Sequence, residues 1–582
     1  MCELGRTGDK RSRWCEWNWI IALIKVSIVC SNLCVGCRRV NNFSEEIGLE
    51  STMFNRRNPT LFFLLACFCI LLYCRTSYGQ SALNRAVRTA ANTEPSIPRP
   101  EQDQVAFKKL NELFARTGKR PNVLWLIVDD MGYGDPGCYG GGTAIGAATP
   151  NMDRLSREGL RLTSCYSQNT CTPTRSAILT GRLPVRTGLT RPILAGDKLL
   201  MNPWQGEVSL PKLLSDSGYY TLLSGKWHVG EAKGMRPHDV GFDEFYGYYP
   251  AQKEITQSVD EARYPDLVLD KDKLDRYRSM EMSHSLIHGW KDGKTEEVGS
   301  IDSTEAMGRA DEVLAEFTIK KIAELSATGK PFFIEHAFMK VHTDNYANPK
   351  FKGISASKYA YKDAMCEVDL LIGRIVDSLE KANVLENTFI FLTSDNGPQM
   401  DGWPDSGYTP FRGAKGTTWE GGVRVPGIAY WKGMIKGSRE SDDVFDLMDL
   451  FNTTLRLAGI VDKIPADRYI DGIDQTSFLL HDQGQGNREC VFFWWETELM
   501  AVRMREYKMH RKFILPQSNL MHIDMSVVQS AGTAPWLFNL YIDPKEELAV
   551  GHRMNAWLAS LGQEMAAHGE TFKKYPPKKI GL

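Results

Sequence analysis

Asn122-Val-Leu-Trp-Leu-Ile-Val128, followed at once by Asp129-Asp130, is the stretch on which the fold turns. An almost unbroken apolar run of this length suits a strand buried on both faces, and such strands occur in parallel sheets covered by helices. In open α/β sheets ligands gather beyond the carboxyl ends of the strands, so the two carboxylates are expected where chemistry takes place.

From about residue 120 onward, short apolar runs alternate with amphipathic segments, the pattern of a mostly parallel sheet between helices. Helical apolar spacing predicts helices over 149–158, 209–217, 304–325 and 357–381. Residues 219–224, 331–337 and 387–393 read as strands, and polar groups follow them: Lys226, His342 and Asp395-Asn396. A further apolar stretch covers 422–431, and 444–458 reads as a helix. Strand-like runs at 490–495 and 507–515 then predict a smaller, antiparallel domain. The expectation is an α/β fold: a large, mostly parallel sheet sandwiched by helices over 120–459, with a smaller C-terminal α+β domain over 460–582 containing a short antiparallel sheet.

The 582 residues, 42% apolar and 24% charged, suffice for one large core and a smaller one. A formal net charge of −1 gives no reason to expect a nucleic-acid groove or a polybasic membrane patch. Eight of the thirteen cysteines fall in the first 74 residues; Cys138, Cys165, Cys171, Cys366 and Cys490 are too sparse for a disulfide framework and lack the CxxC spacing of a zinc site. Met53, Arg56 and Arg57, an apolar run over 61–74 and Ser77-Tyr78-Gly79 follow the order of a secretory signal. The apolar run of about 14 residues is short for a bilayer span, so a cleaved leader over 53–79 is expected rather than stable membrane insertion. Residues 1–52 are expected to precede the true start, and 80–119 to form a linker.

Three sets of residues carry chemistry. Asp129, Asp130, Asp395 and Asn396 form two oxygen-bearing pairs at strand exits, and hard oxygen donors of this kind suit Ca²⁺ or Mg²⁺ rather than zinc. Cationic side chains recur in Gly225-Lys-Trp-His-Val-Gly230, at His342 and at Lys415; preorganised cations stabilise charge that develops on a reacting anion. The third set is Cys171-Thr-Pro-Thr-Arg175-Ser-Ala-Ile-Leu-Thr-Gly181-Arg182, which follows a strand-like run and then becomes helical.

The Cys171 segment closely resembles the signature of the sulfatase family, in which Cys-x-Pro-x-Arg is read by a maturation enzyme that converts the cysteine to formylglycine. Ser394-Asp395-Asn396-Gly397-Pro398 and the lysine motifs extend the likeness over roughly 120–440, with a fainter one at Leu540-Tyr-Ile-Asp-Pro-Lys-Glu-Glu547. The run from Trp403 to Lys415 looks particularly like bacterial arylsulfatases, which would make the secreted compartment periplasmic. The resemblance implies an alkaline-phosphatase-like fold and an arylsulfatase-type sulfuric ester hydrolase. Its substrate would be a sulfated small molecule or glycan, and its protein partner the formylglycine-generating enzyme.

The same resemblance implies one Ca²⁺ bound by Asp129, Asp130, Cys171, Asp395 and Asn396, with Arg175 beside the nucleophile. Lys226 and Lys415 would hold sulfate oxygens, and Lys415 or His342 would protonate the leaving oxygen. His228 would take the proton of the final elimination, and Asp395 would help deprotonate the attacking hydroxyl. A hydrated aldehyde suits this task, because one hydroxyl attacks sulfur and the other later drives collapse to the aldehyde, splitting one hard step into two. Two features depart from the family: His342-Thr343-Asp344 lacks a proline common there, and no serine follows the stretch from Gly241 to Gly247. The competing readings are a phosphodiesterase or phosphonate monoester hydrolase of the same fold, and a catalytically silent protein that binds sulfated glycans.

Overall fold

The computed structural model describes residues 81–581 apart from 195, 196, 198, 267–269, 271, 273–283, 401, 403 and 515–526. The expected leader and the segment before it lie outside the described residues. Strand β1 (Asn122–Val128) is buried along its whole length. Val123, Trp125 and Ile127 enter one hydrophobic cluster, while Leu124, Leu126 and Val128 enter another on the opposite face of the sheet. A strand covered on both sides favours apolar residues, which explains the composition that identified it; its one polar residue, Asn122, is hydrogen-bonded to Thr388 and to the Phe332 amide.

The other strands of this sheet are β2 (Leu160–Tyr166), β3 (Tyr220–Lys226), β4 (Glu244–Tyr248), β5 (Ser285–Trp290), β6 (Thr295–Ser300), β7 (Phe332–Ala337), β8 (Thr388–Ser394), β9 (Arg424–Tyr430), β10 (Arg439–Ser441) and β11 (Phe445–Asp446). Among the described residues they form an eleven-stranded sheet in the order β10-β2-β9-β8-β1-β7-β3-β4-β5-β6, with β11 also against β2. The central neighbours β8, β1, β7, β3 and β4 run parallel, and antiparallel pairings flank them on either side. Because β8, β1, β7 and β3 are adjacent and point the same way, the residues that follow them share one edge of the sheet.

Helices cover both faces. They include α1 (Pro100–Thr117), α2 (Pro150–Glu158), α3 (Cys171–Thr180), α4 (Leu210–Asp216), α5 (Thr304–Thr328), α6 (Ala360–Lys381), α7 (Asp449–Ala458) and α8 (Asn555–Lys574). Helix α7 places Leu450 and Phe451 in the cluster of Trp125, and α6 places Ile372 and Ile375 in that of Leu124. A four-stranded antiparallel sheet of β12 (Cys490–Trp495), β13 (Glu498–Met504), β14 (Tyr507–His510) and β17 (Trp536–Asn539) packs under Leu561 and Met565 of α8. A small pair, β15 (Lys512–Ile514) and β16 (Val528–Ser530), lies in the same region.

Four expectations need correcting. Residues 80–119 are not only a linker: α1 lies there and buries Ala106 and Leu113. The large core extends past residue 460, since Phe478, Leu479 and Leu480 belong to the cluster of Trp125. The helix expected over 444–458 begins only at Asp449, because Asp446 and Asp449 accept the amides of Met448 and Asp446 and turn the chain after β11. The strand expected over 507–515 is broken between β14 and β15. Cys138, Cys165, Cys366 and Cys490 are free thiols, as is Cys171. No helix among the described residues is long and apolar enough to cross a membrane.

Gly225 shows how tightly the sheet positions the next residue. Its φ is +119°, and a Cβ there would stand 1.8 Å from the Ala337 carbonyl oxygen of the neighbouring strand. Gly225→Ala is therefore expected to cost about 3 kcal/mol through backbone strain and overpacking, and to displace Lys226. The midpoint of urea unfolding tests this; a midpoint equal to that of the parent would show that β3 and β7 can part without loss.

Candidate active site

Each predicted site residue leaves a named element. β1 delivers Asp129 and Asp130, β8 delivers Asp395 and Asn396, and β3 delivers Lys226 at its last position, with His228 two residues on. The chain after β7 carries His342; there Val341 N donates to the Asp129 carbonyl at 2.8 Å and Asp129 N to the Lys340 carbonyl at 3.2 Å, prolonging the β1–β7 ladder into the site. Cys171 opens α3, so its side chain sits where the helix has amides without intrahelical partners and the positive end of its dipole. All the predicted residues come together, and all are buried.

The Cys171 sulfur lies 3.6 Å from Asp129 Oδ1 and 4.0 Å from Asp130 Oδ1. Three carboxylates face three cations. Lys226 Nζ pairs with Asp129, and Lys415 Nζ donates to both oxygens of Asp130 at 2.7 and 2.8 Å. Arg175 donates twice to Asp395 Oδ2, at 3.1 and 2.9 Å, and once to the Lys226 carbonyl at 3.1 Å. The remaining Asp395 oxygen accepts the Asp130 amide at 3.2 Å. Asn396 Nδ2 donates to Asp130 Oδ1 at 2.6 Å, while Asn396 Oδ1 is buried without a hydrogen-bond partner.

The three carboxylates among the donors suit a hard cation. Ligand atoms of Asp129, Asp130, Cys171 and Asp395 lie within 4.8 Å of one another, and two oxygens on opposite sides of a calcium ion, each at roughly 2.5 Å, would be about 5 Å apart. The orphaned Asn396 oxygen adds a neutral donor, and a bound cation would remove the cost of burying it unpaired.

Electrostatics sort the protonation states. Burial alone would raise Asp130, but the Lys415 ammonium leads the charges that outweigh it and hold the carboxyl below its ordinary value. Lys415 is raised despite its burial, because Asp130 favours its charge. Burial pushes the Cys171 thiol well up, and Asp395 pushes it further. Burial and then Lys226 hold His228 far below its usual range, and burial with Lys415 brings His342 down to about 3, so both imidazoles are neutral at pH 7. A carbonyl can only accept: His228 Nε2, 3.2 Å from the Ile193 carbonyl, carries the proton, and its unpartnered Nδ1 is the basic atom. By the same reasoning His342 Nδ1 donates to the Thr343 carbonyl. Its Nε2, 3.7 Å from Asp130, is left as an acceptor.

Sequence reasoning missed the groups that hold this set in place. Asp311 of α5 accepts the amides of Met339 at 2.8 Å and Lys340 at 3.2 Å, fixing the turn before His342. Gln252 Nε2 donates to the His342 carbonyl at 2.9 Å. A signal for Asp311 existed: it is an acid on the apolar stripe of α5, between Met307, Ala310 and Leu314, where a carboxylate must find a partner.

The sulfatase family model matches residues 121–460, and the model described as the C-terminal region of aryl-sulfatase matches 486–580. The chain is 33% identical over 463 residues to the N-acetylgalactosamine-6-sulfatase of Canis lupus familiaris, covering 76% of this chain and 84% of that protein. It is 33% identical over 449 residues to the steryl-sulfatase of Rattus norvegicus, covering 68% and 76%. The crystal structure of the PsFucS1 sulfatase from Pseudoalteromonas sp. superposes with a TM-score of 0.83 at 50% identity, covering 86% of this chain and all of that one. With the signature at the mouth of the sheet and a family model spanning its catalytic core, the chain belongs to the sulfatase family, hydrolases of sulfate esters.

Proposed function

We infer that the protein cleaves its sulfate ester with a formylglycine made from Cys171, assisted by one calcium ion held by Asp129, Asp130, Cys171, Asp395 and Asn396. The observation that carries this reading is the placement of Cys171 at the start of α3, within 4.0 Å of two carboxylates and ringed by Arg175, Lys226 and Lys415. A bound calcium would neutralise the carboxylates, orient the sulfate and favour ionisation of the attacking hydroxyl. The hydrated aldehyde would supply that hydroxyl and a second one whose deprotonation expels sulfate.

The chain's own residues do the rest. Lys226 and Lys415 present fixed positive charge to the peripheral sulfate oxygens, which gain charge as the ester bond stretches. Lys415 is the better proton donor to the departing alcohol, since the tautomer of His342 leaves its Nε2 as an acceptor. His228, with Nδ1 unpartnered, accepts the proton of the final elimination. Arg175 holds Asp395 in place through two N–H groups, and Asp395 accepts from the attacking hydroxyl.

The cysteine must be converted by a formylglycine-generating enzyme, and the leader over 53–79 would send the protein to a secreted or periplasmic compartment. The relative named N-acetylgalactosamine-6-sulfatase, covered over 84% of its length, supports a sulfated sugar as the substrate class, and the relative named steryl-sulfatase makes an apolar alcohol the alternative. Peptide mass spectrometry across 164–182 of protein from its native host tests the nucleophile: a loss of about 18 Da relative to the thiol is expected. An intact thiol in active protein would exclude this mechanism. Faster turnover of an aryl phosphate than of an aryl sulfate would favour a phosphoester hydrolase instead.

A further inference from the structure

We propose that the cleft beside His228, lined by Ile193, Glu231, Lys233, Arg236 and Tyr249, holds the sugar ring that carries the sulfate; this rests on the sulfate-ester chemistry assigned to Cys171. The cleft shares a wall with the catalytic residues. Ile193 N donates to Thr172 Oγ1 at 3.2 Å, Thr172 Oγ1 donates to the His228 carbonyl at 2.7 Å, and the Ile193 carbonyl receives His228 Nε2 at 3.2 Å. From the other side His228 N donates to the Tyr249 carbonyl at 2.8 Å. An alcohol leaving a sulfur atom held at Cys171 therefore has this concavity next to it.

The volume, about 650 Å³, falls in the range of roughly 300–1,000 Å³ usual for small-ligand sites. Its chemistry suits hydroxyl groups. Tyr249 is 2% exposed, stacks on Phe245 at 5.2 Å, and has a buried hydroxyl without a hydrogen-bond partner. Such a group costs free energy until a ligand satisfies it. Arg236 Nε donates to the Glu231 carbonyl at 2.9 Å, and its guanidinium lies 5.8 Å from the Tyr249 ring centre. Glu231 is raised to about 7 by burial and by Glu254, so near neutrality it can donate or accept. A carboxyl, a guanidinium and a phenol side by side match adjacent sugar hydroxyls, which both donate and accept. A flat apolar alcohol would instead strip water from Glu231 and Lys233 and return nothing. The segment Tyr248-Tyr249-Pro250-Ala251-Gln252 lacks the serine that the family resemblance led one to expect there, and in this reading it serves the alcohol instead of the sulfate.

The test compares kcat/KM for 4-nitrophenyl sulfate with that for a panel of monosulfated hexoses and N-acetylhexosamines, using protein with Cys171 fully converted. Tyr249→Phe, which removes one oxygen and keeps the ring, is expected to lower the sugar-to-aryl ratio about tenfold. Glu231→Gln and Arg236→Lys should each lower it about 10- to 100-fold, because charge-assisted or forked contacts are lost. A fall shared equally by both substrates, or no fall at all, would overturn the proposal. Should converted protein hydrolyse neither substrate, the catalytic reading of Cys171 fails separately. The cleft is then decided by calorimetry of the same sugar sulfates on the Cys171→Ala protein: binding about tenfold weaker with Tyr249→Phe added supports it, and unchanged or absent binding refutes it.

Discussion

Cys171→Ala is expected to reduce hydrolysis of 4-nitrophenyl sulfate by about 10⁴-fold or more, the scale seen when a covalent nucleophile is removed. The fold should survive. Relative to the unconverted thiol, the change deletes one sulfur from a buried position at the start of α3, a cavity worth about 1 kcal/mol, and breaks no strong hydrogen bond. Cys171→Ser discriminates further. A serine hydroxyl in this position could still attack sulfur: its oxygen would bond to sulfur, the bond from sulfur to the alcohol oxygen would break, and the alcohol would leave with a proton. No second hydroxyl on the same carbon could then expel sulfate, so the expected result is at most one turnover and a stable sulfated serine. Intact mass after mixing with substrate detects it. Sustained turnover by the serine variant would show that water attacks the covalent sulfate directly and that the two-hydroxyl chemistry is not needed.

What could be read from the sequence follows from where each residue's constraint lies. β1 was legible because burial on two faces favours apolar residues in it, and Asp129-Asp130 stood out by ending that run. Asp395-Asn396, Lys226 and His342 were legible as polar groups after apolar strands for the same reason. The order β8-β1-β7-β3, which alone brings those exits to one edge, was not. It is set by packing between segments more than 100 residues apart, such as the register of Val128 against Ser394. Helix α1 escaped because only Ala106 and Leu113 are fully buried on it, too narrow a stripe to give a clear period. Over 444–458 the apolar spacing was real, but the Asp446 and Asp449 carboxylates compete for backbone amides and begin the helix late. Gln252 gave no signal at all, since an amide that fixes a carbonyl distant in sequence looks like any surface glutamine.

Arg175→Ala should separate charge balance from simple packing at this site. In the wild-type cluster Asp129, Asp130 and Asp395 are matched in number by Arg175, Lys226 and Lys415. Removing Arg175 strips both N–H contacts from Asp395 Oδ2, made at 3.1 and 2.9 Å, and leaves a buried carboxylate unpaired. Breaking a buried pair in this way costs about 3–5 kcal/mol, so calcium-free protein in a chelator should melt well below wild type. Calcium at 100 times its dissociation constant should return about 2.7 kcal/mol to the wild type. The return to the variant should be larger when both are compared at the same calcium concentration, because a divalent cation supplies the charge that Asp395 has lost. Turnover should nevertheless stay down by about 10²–10³-fold, since a mobile Asp395 no longer presents its oxygen to the attacking group. Arg175→Lys should recover much of the stability but little of the rate, because one ammonium cannot reproduce two guanidinium contacts and a third to the Lys226 carbonyl. Equal calcium stabilisation of variant and wild type, measured by thermal melts across a calcium titration, would mean that Arg175 balances no charge the metal sees. A chelator without effect on either melting or rate would remove calcium from the mechanism, and the three carboxylates would then have to be held by Arg175, Lys226 and Lys415 alone.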